Sequence, residues 1–334
     1  MAKAKKKLLP KNFEDLLKAG DLAQLQTVFE TCDINARGGS AKETALAFDD
    51  CSPELERWLV AEGADLSASD VRGNTPLHSR ARSRLGSIAG LLELGADLNS
   101  NASIGTPLHA AADSYNVPNA RLLVERGADV NALNRDGLTP LELALRRCRN
   151  VDLEDMAPLA ELLLAAGAST SPAMKQVVAE LGKTFEFHRS AFNPDLRDAA
   201  SAGLNRLYEL FGAAPVAPRL IHDGTAPIAV QGGSWQEQHD MLWAFLVPSS
   251  GPAATVQGEV IRISGRIANE LEGNGGVNWD ADYKAMAEAF VKHLALAEPA
   301  SELVKDSARM AQLAVAWVAQ HPVPIPLGRT EYKR

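Results

Sequence analysis

The sequence predicts a mostly α-helical protein, in which an α-solenoid of repeats precedes a second, mainly helical domain. Threonines in similar surroundings recur at positions 44, 75, 106 and 139, with spacings of 31, 31 and 33 residues. The loop phrases GADLSA (63–68), GADLNS (95–100) and GADVNA (127–132) recur in step with them. A period of this length is typical of stacked repeats. From Pro172 onward the period disappears, so the chain divides into two regions.

Each repeat carries the signals of a helix pair. In TPLH at 75–78 and 106–109, threonine caps the free N–H groups of a helix, and proline follows at the first helical position. The strings LLELG and LLVERG predict the second helix, which ends at Gly95 or Gly127, where a positive φ is needed. One such unit leaves an apolar face bare, so the repeats are expected to stack.

The repeated strings resemble those of the ankyrin family. The resemblance rests on GNTPLH (73–78), GTPLHAAA (105–112), LLELGADLN (91–99) and LLVERGADVN (122–131), with a looser match in DGLTPLELA (136–144). It implies an ankyrin-repeat solenoid with β-hairpin-like loop fingers over residues 11–170. The expected units are a terminal unit at 11–37 and repeats at about 38–68, 69–100, 101–132 and 133–170.

Several positions depart from the family pattern. Ala45 stands where proline is usual, Asp49 and Asp50 stand where alanines are usual, and Arg80 occupies a normally small position. The fourth repeat is longer than the third, with its extra residues around RRCRNVDLEDMA. We therefore expect an irregular stack.

The segments that flank the repeats are predicted from composition and capping patterns. Residues 1–10, with lysines at 3, 5, 6 and 7, are expected to form a basic disordered tail. Two closing helices are expected at 171–212, a C-terminal helical domain at 213–320, and a Pro-rich tail at 321–334.

Inside the C-terminal domain, IHDG and PIAV could pair as a short hairpin over Asp223–Gly224. Ser234 and Glu237 form a capping-box pattern at the start of a helix. TVQGEVIRISGRIANELEG is the most regular amphipathic segment, and SELVKDSARMAQLAVAWVAQ is expected to be the last long helix. The strings VPSSG, TVQGE and NGGVNWD are similar to those of uncharacterised bacterial proteins, a resemblance that implies no activity.

The histidines do not predict a catalytic centre. His78 and His109 would need an acid, a base or a nucleophile beside them. The ankyrin resemblance instead implies a structural role, in which each imidazole hydrogen-bonds the neighbouring loop. His222 and Asp223 form a possible metal-binding pair, but no second pair stands at helical spacing, so a turn is expected.

Two polar patterns in the second region could form ligand sites. NGGVNWDADY, with Asn274, Asn278, Asp280 and Asp282, lacks the glycine and the final glutamate of a calcium loop, so helix capping is expected.

The row Glu259, Arg262, Arg266 and Glu270 could bind a phosphate or carboxylate group, although a solvated or interhelical ion-pair face is expected. No P-loop, GxSxG, GxGxxG or HExxH motif is present, and the three cysteines have no metal-ligand spacing. We predict no enzyme activity, no cofactor and no metal.

Composition narrows the class of partner. The net charge of −8 argues against nucleic-acid binding. No apolar run approaches the roughly 18 residues of a membrane span. The lysines near the start are not followed by the apolar stretch of a secretory signal, so a cytoplasmic protein is expected.

The predicted function is the binding of a protein partner with an acidic surface. Stacked repeats bind proteins through their fingers and the exposed positions of their first helices. The candidate contact residues are Lys42, Arg72 and Arg135 on the fingers, and Arg82, Asp113, Tyr115, Arg146 and Arg147 on the first helices. We expect an adaptor or inhibitor, for which a bacterial immunity-type protein is one case. The alternative is an enzyme or ligand-binding C-terminal domain that the repeats recruit to its target.

Overall fold

The computed structural model describes residues 4–332, which form two compact units. The first unit contains the residues up to Thr184 together with Asn193–Pro215, and the second contains Phe185–Phe192 together with the residues from Val216. Helices dominate both units, and the described residues contain one small sheet of three strands. The predicted mostly helical fold class is confirmed. The predicted boundary at residue 213 differs from this division, because Phe185–Phe192 groups with the second unit.

The first unit starts with the sheet and a pair of helices. The strands are β1 (Lys6–Leu8), β2 (Cys32–Gly38) and β3 (Glu43–Thr44), and the helices are α1 (Phe13–Ala19) and α2 (Leu22–Thr31). β2 pairs in parallel with β1 and antiparallel with β3. The rings of Phe13 and Phe29 pack edge to face between the helices, with centroids 6.0 Å apart. Residues 11–37 thus contain two helices and most of the sheet's central strand.

The N-terminal lysine segment differs from the predicted disordered tail at 1–10. Its strand is held because the Leu9 N–H donates to the Arg37 carbonyl at 2.9 Å, and because the Leu9 side chain is buried. The Lys5 ammonium donates to the Phe29 carbonyl at 2.8 Å. A three-residue strand has too few residues to show a periodic pattern in the sequence. Lys3, part of the same prediction, lies outside the described residues.

The repeats follow as pairs of helices. They are α3 (Pro53–Ala61), α4 (Pro76–Arg82), α5 (Ala89–Glu93), α6 (Pro107–Asp113), α7 (Val117–Glu125), α8 (Pro140–Arg147) and α9 (Leu153–Ala165). Threonine is the N-cap residue of α4, α6 and α8, and proline follows it in each. Gly95 and Gly127 have φ values of +90° and +88°, which a residue with a Cβ atom rarely adopts. The first helices of successive repeats, α4, α6 and α8, pack side by side.

The irregular repeats have local explanations. In the first repeat, which has Ala45 in place of proline, a 3₁₀ turn at Ala45–Ala47 replaces the first helix. In the second repeat, Arg80 is buried and forms an ion pair with Glu56 of α3 at 2.6 Å. In the fourth repeat, the additional residues form a 3₁₀ turn at Asn150–Asp152 ahead of the long helix α9.

Two helices, α10 (Pro172–His188) and α11 (Pro194–Phe211), follow the repeats. Asn193 starts α11, and its side-chain oxygen accepts from the Asp195 N–H at 3.1 Å. α11 packs on α9, where Gly203 lies so close to the Leu153 backbone that a Cβ atom would collide with it. This close approach explains the glycine in the middle of a long helix.

The second unit is a helical bundle around one buried helix. Its helices are α12 (Trp235–Leu246), α13 (Val256–Ala268), α14 (Ala281–Leu294), α15 (Ala300–Leu303) and α16 (Ser307–Gln320), and a π-helical turn (Asn269–Gly273) extends α13. α13 packs against α12, α14 and α16, and ten of its thirteen residues are buried. Gly265 lets α13 approach Trp243 of α12, because a Cβ atom there would overlap the indole.

Two local predictions in the second unit were wrong. Residues 221–230 contain no strand, and the expected hairpin is a turn in which Asp223 accepts from the N–H groups of Thr225 and Ala226 at 2.7 and 2.9 Å. The expected last long helix is two helices, because Asp306 caps the start of α16 by accepting from the Arg309 N–H at 2.9 Å.

The Pro-rich C-terminal segment packs into the second unit. The buried Gln257 amide donates to the carbonyls of His321 and Val323 at 2.9 and 2.7 Å and accepts from the Ile325 N–H at 3.0 Å. Tyr332 is also buried, and its hydroxyl donates to Glu259 at 2.7 Å. The described part of this segment is therefore an integral part of the bundle.

Candidate protein-binding surface

The two TPLH histidines are structural. Each imidazole Nδ1 accepts from the N–H of the capping threonine three residues earlier, at 3.3 Å for His78 and 3.0 Å for His109. Each Nε2 lies on a carbonyl of the next loop, that of Gly105 at 2.9 Å and that of Leu138 at 3.0 Å. Burial lowers the pKa of both imidazoles, so the neutral form is favoured. Both rings tie one repeat to the next.

The C-terminal ends of the first helices bring charged residues together. α4 ends at Arg82, α6 at Asp113 and α8 at Arg147, and the packing of these helices places the two arginines on either side of the aspartate. Each arginine forms an ion pair with a different oxygen of Asp113. The Asp113 side chain is 4% exposed, whereas those of Arg82 and Arg147 are 47% and 51% exposed. Asp113 therefore holds the two guanidinium groups at the surface.

The neighbouring arginine is held in the same way. Arg146 donates to Glu142 one helical turn earlier, with N–O distances of 2.9 and 2.8 Å, and its side chain is 47% exposed. We call Arg82, Asp113, Arg146 and Arg147 the arginine surface. Each of these arginines already has an acidic partner within the chain.

The prediction of Tyr115 as a contact residue is not supported by its position. Its side chain is buried, and its hydroxyl donates to the Ala144 carbonyl at 3.3 Å. Its backbone is in the left-handed region, with a φ of +55°. Burial raises the pKa of the phenol. Tyr115 therefore stabilises the packing of α6 on α8.

The predicted finger residues are exposed. Arg72 lies at the tip of a turn in which the Asp70 carboxylate accepts from the N–H groups of Arg72 and Asn74, both at 2.8 Å. Arg135 lies in the corresponding turn of the next but one finger, and Lys42 is exposed with a φ of +56°. These turns present charged side chains to solvent.

A hollow of about 460 Å³ borders Arg146 and was not predicted. Its lining includes Leu145 and Cys148 from the fourth repeat, and Val177 and Leu181 from α10. In the sequence, Val177 and Leu181 are one helical turn apart, which indicates an apolar helix face. The same spacing occurs on helix faces that pack in a core, so it does not predict an open hollow. The hollow adds an apolar surface next to the arginine surface.

The polar row on α13 is largely a buried structural element. Glu259 and Arg262 are fully buried, and their side chains are joined by two hydrogen bonds of 2.8 and 2.6 Å. Burial acts to raise the pKa of Glu259, but the hydrogen bonds and the charge of Arg262 outweigh it and lower the pKa. For this pair, the expectation of a solvated or interhelical face was wrong, because the pairing is within one buried helix.

The possible calcium loop is also explained by local hydrogen bonds. The side chains of Asn274 and Asn278 donate to the Glu270 carboxylate at 3.1 and 3.3 Å, and Asp280 caps α14 by accepting from the Tyr283 N–H at 3.2 Å. Within residues 4–332, no group of three or more histidine, cysteine or acidic side chains could hold a metal ion. In the same range, no helix combines the length and apolar character needed to cross a membrane.

Comparison with known proteins identifies the repeats. The family model described as ankyrin repeats in many copies matches residues 91–144. The chain is 41% identical over 113 residues to the Neurogenic locus Notch protein of Drosophila melanogaster, a match covering 32% of this chain and 4% of that protein. It is 34% identical over 158 residues to Ankyrin repeat and SOCS box protein 6 of Homo sapiens, covering 41% of this chain and 38% of that protein.

A third relative, Ankyrin repeat and SOCS box protein 5 of Mus musculus, is 40% identical over 87 residues, with 26% of each protein covered. The chain thus spans well under half the length of these relatives. The matched segment 91–144 consists of ankyrin repeats, while the resemblance of the second unit to bacterial proteins stays a prediction.

Proposed function

We propose that the repeats form a protein-binding adaptor or inhibitor module that holds its partner through the arginine surface and the adjacent fingers. The observation that carries this proposal is the arrangement around Asp113, where one buried carboxylate orients two half-exposed arginines. Ordered arginines are common binding anchors in protein interfaces. The same ion pairs join α6 to α4 and to α8, so the stability of each variant has to be measured beside its binding.

The chemistry of the guanidinium group favours an acidic partner. Each guanidinium has five N–H donors, and the ion pair with Asp113 uses only part of this capacity in Arg82 and Arg147. The remaining donors can bind carboxylates of a partner, and the existing ion pair reduces the side-chain entropy that binding would cost. The hollow beside Arg146 can accept an apolar side chain of the same partner. The partner surface that fits is therefore acidic with an apolar anchor.

The narrower form of this proposal is a cytoplasmic, bacterial immunity-type inhibitor, and its support is analogy alone. The alternative, a catalytic or ligand-binding second unit, has less support. The buried Glu259–Arg262 pair is enclosed in the bundle, and Ser264, the residue hydrogen-bonded to His239 at 2.9 Å, is fully buried as well. Groups at these positions are not presented to a substrate.

Affinity capture followed by a binding measurement tests the proposal. The full chain captures its partner from native lysate, and the dissociation constant is then measured for wild type and for Arg82→Ala/Arg146→Ala. In this variant Arg147 still neutralises Asp113, so the fold should lose no more than about 0.5 kcal/mol per site. The affinity should fall by at least about 2 kcal/mol, or roughly 30-fold.

The matched control is Arg57→Ala/Arg121→Ala, which removes two exposed arginines from the second helices α3 and α7. The control should bind like wild type. If the folded Arg82→Ala/Arg146→Ala variant binds the partner as tightly as wild type, the partner does not bind through the arginine surface.

A further inference from the structure

A hollow of about 540 Å³ lies in the N-terminal part of the first unit, between β1 and one face of α2. The α2 wall is formed by Gln24, Thr27, Val28 and Thr31, which follow the spacing of a single helix face. The opposite wall consists of β1 and the residues that follow it, up to Asn12. None of these residues belongs to the arginine surface.

The charge of the lining distinguishes this hollow. Among the described residues of its lining, the charged side chains are Lys6 and Lys11, in a chain whose net charge is −8. Three other hollows of the described chain each contain one basic and one acidic side chain. These pairs are Arg146 with Glu180, Lys305 with Glu272, and Lys284 with Glu288. Complementarity of charge therefore favours an anionic occupant for the N-terminal hollow.

The lining is also apolar between the lysines. Leu8 is 60% exposed and lines the hollow together with Lys6. Leu16 of α1 and Val28 of α2 are half-buried in the lining. An exposed leucine at the mouth of such a hollow fits a partner that presents apolar side chains together with negative charge.

The backbone around the hollow favours an extended occupant. In the sheet order β1–β2–β3, β1 is an edge strand that pairs only with β2 among the described residues. An edge strand can accept one more strand from a partner through main-chain hydrogen bonds. The Lys5 ammonium, which donates to the Phe29 carbonyl, fixes the start of β1 for such pairing.

We propose that this N-terminal hollow is a second docking surface, which binds an extended, acidic segment of a protein partner with alternating apolar side chains. The segment pairs with the free edge of β1, its carboxylates bind Lys6 and Lys11, and an apolar side chain enters beside Leu8 and Val28. The lysine-rich N-terminus thereby gains a role that the arginine surface does not provide.

The test uses the full chain and a fluorescein-labelled dodecapeptide of alternating glutamate and valine, with binding followed by fluorescence anisotropy. The expected result is saturable binding that weakens at least about tenfold in Lys6→Glu/Lys11→Glu. The matched control, Lys18→Glu/Lys175→Glu, has the same change in charge at exposed lysines outside the lining, and it should bind within about twofold of wild type. Amide hydrogen exchange of residues 5–9 should slow when the peptide binds.

Three results would overturn the proposal. The first is that wild type does not bind the peptide. The second is that Lys6→Glu/Lys11→Glu and Lys18→Glu/Lys175→Glu weaken binding equally, which would show a general electrostatic attraction and not a defined binding site. The third is tighter, Lys6- and Lys11-dependent binding of vesicles containing phosphatidylglycerol or of a poly-uridine oligonucleotide, which would assign the hollow to a phosphate polymer. Arg57→Ala/Arg121→Ala, which removes exposed arginines outside both the hollow and the arginine surface, should leave peptide binding unchanged.

Discussion

The buried ion pair between Arg80 and Glu56 joins the first two repeats, and its removal one partner at a time gives a quantitative prediction. The two side chains are 3% and 1% exposed and lie 2.6 Å apart. The Arg80 guanidinium also donates to the Ser87 carbonyl, and the Glu56 carboxylate occupies the space that a Cβ atom on Gly90 would need. The position that is normally small in the family thus carries an arginine because an acid faces it.

The expected magnitudes follow from the burial. Arg80→Ala leaves the Glu56 carboxylate buried without its cation, which costs about 3–5 kcal/mol. Glu56→Ala leaves the Arg80 guanidinium buried without its anion, at a similar cost in free energy. The double variant has no buried charge and loses only the packing of the two side chains. It should therefore be less destabilised than either single variant, with a coupling energy of at least about 2 kcal/mol between the two sites.

Hydrogen exchange measured by mass spectrometry on the full chain is the suitable assay. The chain has two compact units, so a single global free energy of unfolding is not well defined, whereas exchange in α3 and α4 reports the opening of these repeats directly. Arg57→Ala, at an exposed pair with Glu54, is the control and should change the opening free energy by less than about 0.5 kcal/mol. A double variant destabilised by the sum of the two single effects would refute the reasoning.

Three further predictions concern pH and packing. Burial lowers the pKa of His78 and His109 in the folded repeats, so the unfolded chain binds protons more readily. The free energy of opening of the repeats should therefore be constant above about pH 6.5 and decrease as the pH falls below it. Hydrogen exchange in α4 and α6 measures this free energy. Tyr332→Phe should destabilise the second unit by about 1–2 kcal/mol, measured by hydrogen exchange in α13 and α16, since a buried carboxylate loses a donor. Gly265→Ala should cost about 1–3 kcal/mol in the same assay through overlap with an indole, whereas Gly328→Ala, with open space around it, should be neutral.

The repeats could be predicted from the sequence because their signals are local. A capping threonine, a proline and a glycine with positive φ specify each helix pair without reference to distant residues. The arrangement at Asp113 was only partly predictable. The period indicated that Arg82, Asp113 and Arg147 end successive first helices, but it contained no information on whether the aspartate would face the partner or the arginines.

The sequence did not indicate which polar residues would be buried. Glu259 and Arg262 have the i, i+3 spacing of a solvated ion pair, and the same spacing serves a fully buried pair when helices cover it on all sides. Tyrosine is common in protein interfaces, yet Tyr115 is buried and its hydroxyl donates to the Ala144 carbonyl. The strand at Lys6–Leu8 depends on pairing with a segment more than twenty residues away. Each of these outcomes depends on tertiary contacts that a local pattern does not contain.

We propose that the protein partner binds the arginine surface, and a hydrogen-exchange footprint of the captured complex is the most direct test. Amide hydrogen exchange should slow in the presence of the partner at the C-terminal ends of α4, α6 and α8, which carry Arg82, Asp113 and Arg147. Exchange in the second helices α3 and α7 should not change. Protection confined to α3 and α7, or to the second unit, would show that the partner does not bind the arginine surface.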